Sequence, residues 1–119
     1  MGLTATIVDP LISLSSSSMS FGTVTPPATA TKTVTVKNSG LTNLTLNAPS
    51  ISGTDYAFTT GTCSTTGTTT LVPGGTCTIS VIFSPPTTTK NTNYSGTVTI
   101  TSNALNGASK TISLSGTGK

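Results

Sequence analysis

The chain has 119 residues and a mass of 11.8 kDa, room for one domain around one core. Hydroxyl side chains dominate, with 30 Thr and 17 Ser against 6% charged residues, a balance opposite to that of a disordered chain and suited to pleated strands. The net charge of +3 comes from five scattered Lys set against Asp9 and Asp55; with no Arg and few aromatics there is neither a phosphate-binding patch nor a base-stacking platform, so no nucleic-acid partner is expected.

In chain order, residues 1–10 lack the basic region and long apolar stretch of a secretory signal. Leu3, Ala5, Ile7 and Val8 alternate enough to form a short strand, and this segment reads as a linker or N-terminal extension strand before a domain spanning 11–119. Beyond it, a period of two predicts strands near 11–15, 18–22, 31–38, 41–48, 54–59, 76–84, 94–102 and 109–115. Val34 and Val36 share one face, as do Leu44 and Leu46, then Cys77, Ile79, Val81 and Phe83, then Val98 and Ile100, and finally Ile112 and Leu114. Asn38-Ser39-Gly40 reads as a tight reversal between two strands, Asn106-Gly107 as a hairpin turn, and Pro85-Pro86 as a stop. Residues 60–70 and 87–93 read as exposed polar loops. No window has helical spacing, and no apolar run is long enough for a membrane helix, so no membrane insertion is expected. The pattern predicts an all-β chain: an immunoglobulin-like antiparallel β-sandwich of about seven or eight strands.

Few residues offer chemistry. Without His, Glu or Arg, a Ser-His-Asp triad, a paired-Glu site and a Cys-His dyad are all impossible within the chain, and no catalytic residue, metal site or cofactor is expected. Cys63 and Cys77 are the only cysteines; they read as a disulfide, with two buried free thiols as the alternative. A bridge would close a loop of about 15 residues, stabilise the fold by roughly 3 kcal/mol and imply an oxidising compartment. Asn43 and Asn93 begin glycosylation sequons, Asn93 in an expected loop. Phe21, Tyr56, Phe58, Phe83 and Tyr94 read as packing residues rather than a sugar-stacking platform. Lys32, Lys37 and Lys110 fall in or beside strands, where lysine blunts an edge.

Taken together, Phe21-Gly22-Thr23-Val24, the run Val34 to Gly40, Ile51-Ser52-Gly53 with Phe58, the run Leu71 to Pro85, Ile100 to Ala104 and Leu114 to Gly118 resemble the hydin-like, or ASH, family of immunoglobulin-like domains, in particular the bacterial surface type called choice-of-anchor D. The resemblance implies a sandwich of the kind found in major sperm protein and pilus chaperones, without catalytic residues. It implies a structural or adhesion module, extracellular or on the cell surface, whose partners are proteins, either neighbouring copies or adjacent domains. Two alternatives accompany it. Residues 1–10 would donate a strand to a neighbour's edge and build a filament, or the domain would bind carbohydrate, taking surface glycans as partners through Tyr94 or Tyr56.

Overall fold

Val, Ile and Thr at alternate positions build ten strands in the computed structural model, which describes residues 10–59, 61–87, 91–105 and 107–118; no helix occurs among them. β1 (Ile12–Leu14), β3 (Ala30–Asn38), β8 (Thr76–Phe83) and β6 (Tyr56–Phe58) form one sheet in the order β1-β3-β8-β6. β2 (Ser18–Val24), β10 (Ser109–Gly118), β9 (Thr92–Thr101) and β5 (Ser50–Ser52) form a second in the order β2-β10-β9-β5. β4 (Leu44–Leu46) and β7 (Thr69–Leu71) make a separate two-stranded ribbon. Leu3, Ala5, Ile7 and Val8 of the expected extension strand, and Asn106 of the expected hairpin turn, lie outside the described residues.

One core lies between the two sheets. Val34 and Val36 of β3 and Ile79, Val81 and Phe83 of β8 meet Phe21 of β2, Val98 and Ile100 of β9, and Ile112 and Leu114 of β10, all buried. Burial of aliphatic and aromatic side chains drives this closure at roughly 25 cal/mol per Å². Within it sits an aromatic cluster. Tyr56 stacks on Phe83 with ring centroids 4.8 Å apart, and Phe21 tilts against both. Gly116 makes room for that cluster, since a Cβ there would stand 2.6 Å from the Phe83 ring.

Several features depart from the sequence reading. Asn38-Ser39-Gly40 does not join two paired strands: β3 pairs with β1 and β8, whereas β4 pairs with β7. The cause is the Asn38 side chain, fully buried, whose Oδ1 accepts from the Gly40 amide while Nδ2 donates to the carbonyls of Thr42 and Leu71. These bonds turn the chain away from β3 and tie it to the ribbon. Secondly, β5 and β7 were not expected, and the strand over 41–48 shrinks to Leu44–Leu46. Thirdly, β2 runs parallel to β10, while every other strand pair is antiparallel. This arises because β1 and β2 are successive pieces of one N-terminal run that crosses from the first sheet to the second. Lys37 also departs from its edge assignment: it lies on β3 where β1 and β8 flank it on both sides. Lys32 and Lys110 sit on stretches of β3 and β10 that β1 and β2 do not reach.

Candidate disulfide clamp and sheet-face groove

Cys63 and Cys77 form a disulfide with Cα atoms 5.0 Å apart, both cysteines buried. Cys77 lies on β8, facing the core between Val36 and Ile79. Cys63 lies in the segment that follows β6 along the same edge of β8. Hydrogen bonds hold that segment there: the Thr59 amide donates to Ser80 O, the Cys63 amide to Thr78 O, the Thr62 amide to Thr78 Oγ1, and the Thr78 amide to Thr62 Oγ1. The polar run around residues 61–68 is thus only partly a free loop, because its first residues close the β8 edge and the disulfide fastens them.

The second sheet's outer face is made of hydroxyls. Strand alternation sends Met19, Phe21, Val98, Ile100, Ile112 and Leu114 inward and leaves Ser and Thr on the outside. Register places Ser20 of β2, Ser115 of β10 and Ser95 of β9 side by side, with Thr117 beside Asn93 in the next row. Between these rows the ladder is irregular: the β2–β10 register shifts between Ser115 and Thr117. Gly22 on β2 adopts φ +68, and a Cβ there would meet no atom within 4 Å, so the backbone demands glycine and leaves the space above it open. The result is a groove of about 340 Å³ lined by Ser20, Gly22, Asn93, Ser95, Ser115 and Thr117, with Tyr94 and Gly116 as its floor. The Thr117 hydroxyl donates to Asn93 Oδ1 at 2.9 Å.

The tyrosines do not form a sugar platform. Tyr56 is buried in the core, its hydroxyl donating to Tyr94 O at 3.0 Å, and burial first, then the nearby Asp55 carboxylate, pushes its phenol above the ordinary value. Tyr94 alternates toward the core, where its ring meets Phe83 at 5.9 Å. Of the two sequon asparagines, Asn93 sits in β9 rather than in a loop, while Asn43 precedes the shortened β4; both are exposed. Among the described residues no group of three or more His, Cys, Asp or Glu is placed to hold a metal, and no helix is long and apolar enough to cross a membrane.

The chain matches the family of Cep192 domain 4 over residues 9–119. No curated protein matches it. Among solved structures it resembles a protein of unknown function from Porphyromonas gingivalis W83, with a TM-score of 0.71 and 14% identity over 94% of this chain and 49% of that one. It also resembles the ASH/PapD-like domain 7 of human CEP192, with a TM-score of 0.61 and 15% identity over 100% of this chain and 91% of that one. A third likeness is to the secreted serine protease VesC from Vibrio cholerae, with a TM-score of 0.62 and 18% identity over 91% of this chain and 23% of that one. The chain therefore spans about half the length of the first of these proteins and less than a quarter of the third. At such identities the likenesses show a shared fold.

Proposed function

The chain belongs to the Cep192 domain 4 family of ASH/PapD-like, immunoglobulin-like domains, and from that membership we propose that it is a non-catalytic structural or adhesion module of an extracellular or cell-surface bacterial protein or assembly. The observation that carries this reading is the Cys63–Cys77 disulfide, which clamps a segment onto β8. Such a bond persists outside the reducing cytosol. The hydroxyl-covered sheet face supports the same reading, since it presents uncharged Ser and Thr side chains that can both donate and accept hydrogen bonds. The module's partners are proteins, either adjacent domains of its own polypeptide or neighbouring copies, and its domain spans 11–119. Labelling of intact and permeabilised cells with an antibody to this chain tests the placement. Equal labelling of both is expected; signal that appears only after permeabilisation would place the chain inside the cell and overturn the reading.

A second reading, assembly into a filament, draws on the edges of the sheets. β2, seven residues long, is the longest strand at an edge among the described residues, whereas β1, β5 and β6 have three residues each. An incoming strand such as Leu3 to Val8 of a neighbour would pair along β2, and because donor and acceptor surfaces differ, the assembly would be open-ended. Electron microscopy of the full chain and of a chain lacking residues 1–10 tests it. Filaments from the first and none from the second are expected; filaments that survive the deletion, or a full chain that stays monomeric at high concentration, would reject strand donation.

A further inference from the structure

We propose that the groove on the outer face of the β2-β10-β9 sheet is a binding site for a neutral saccharide. The site goes beyond the module reading and does not rest on it, because its chemistry is the same wherever the chain resides. Neighbouring strands lie about 4.8 Å apart, so Ser20, Ser115 and Ser95 set three hydroxyls in a row across roughly 10 Å. Asn93 and Thr117 add an amide and a hydroxyl in the adjacent row, already held together by their own hydrogen bond. The groove's volume of about 340 Å³ lies within the range of small-molecule sites.

The lining decides the class of ligand by elimination. No charged side chain lines the groove, so an anionic or cationic ligand would lose its hydration without gaining a counter-charge. An apolar ligand would strip water from Ser20, Ser95, Ser115 and Thr117 and leave their hydroxyls unsatisfied. An extended peptide is recognised through its backbone at the open edge of a strand, whereas the groove lies on the face of the sheet, where β10 is paired with β2 on one side and β9 on the other. What remains is a ligand whose own groups both donate and accept at every position, which matches Ser, Thr and Asn side chains in either direction. That ligand is a polyol, and in ring form a saccharide. The site works without aromatic stacking, since the Tyr94 ring is turned to Phe83, and millimolar affinity is therefore expected.

The test is a two-dimensional NMR titration of the disulfide-bonded chain with cellotriose, chitotriose and maltotriose, alongside a uronic-acid trisaccharide and a neutral Ser/Thr-rich peptide. At least one of the three neutral sugars is expected to shift the amides of Ser20, Asn93, Ser95, Ser115 and Thr117 saturably. Ser115→Phe, which fills the groove from an outward position, is expected to abolish those shifts, and Asn93→Ala to weaken binding about tenfold. Thr111→Phe, on the same face outside the groove, is expected to leave binding unchanged. Asn93→Ala keeps the proposal testable should Ser115→Phe fail to fold. The proposal is overturned if no neutral sugar gives saturable shifts, if the shifts map elsewhere, if both groove variants bind as the parent does, or if the acidic sugar or the peptide binds more tightly.

Discussion

Asn38 is buried completely, yet both ends of its amide are used: Gly40 donates to Oδ1 at 2.9 Å, and Nδ2 reaches Thr42 O at 2.7 Å and Leu71 O at 2.9 Å. Replacing it with Ala strands a donor and two acceptors in the interior, so Asn38→Ala is expected to cost about 2 to 4 kcal/mol in urea unfolding. Tyr56 gives a different signature. Its phenol titrates above its unfolded value, through burial and the Asp55 charge, so the stability this creates is complete below about pH 10. As pH rises further, the unfolded chain releases the proton first, and stability falls toward the raised folded value. Tyr56→Phe is expected to unfold with a shallower alkaline loss than the parent, while costing about 1 kcal/mol at neutral pH through the lost bond to Tyr94 O. Thermal melts of both proteins between neutral and alkaline pH read both effects.

The β8 edge depends on the disulfide at the level of elements. Cys63 and Cys77, 14 positions apart, close a loop whose opening is expected to cost roughly 3 kcal/mol, so the double variant Cys63→Ser/Cys77→Ser should unfold at a correspondingly lower denaturant concentration. Its amides at Thr62, Cys63→Ser and Thr78 should also exchange with solvent faster than those of the central β3–β8 ladder. The long strands were legible in the sequence because Val34 and Val36, Ile79 to Phe83, Val98 and Ile100, and Ile112 and Leu114 repeat every second residue on a face that is buried. β5 and β7 were not. Ser50–Ser52 holds a single apolar residue and Thr69–Leu71 has Leu71 only at its end; each is a strand because β9 or β4 pairs with it. The parallel β2–β10 pairing likewise carries no local turn signal. The groove was illegible for a related reason: Ser20, Ser115 and Ser95 become neighbours only through register, and the opening comes from Gly22 and the extra residue that shifts the register of β2 against β10.

For the whole molecule, a closed aromatic and aliphatic core, a sheet face of uncharged hydroxyls and one disulfide are what the proposed module reading draws on. Its family membership over residues 9–119 fixes the sandwich, and the proposal of an exported module rests on its cysteines being oxidised where the protein resides. The most direct measurement is therefore made on protein taken from its own cells. Free thiols are trapped with an alkylating reagent at the moment of lysis, and the intact chain is then weighed under non-reducing conditions. The account predicts a chain that carries no alkyl group until a reductant is added, after which both Cys63 and Cys77 become labelled. A chain that leaves its native location with both cysteines already alkylated would contradict it.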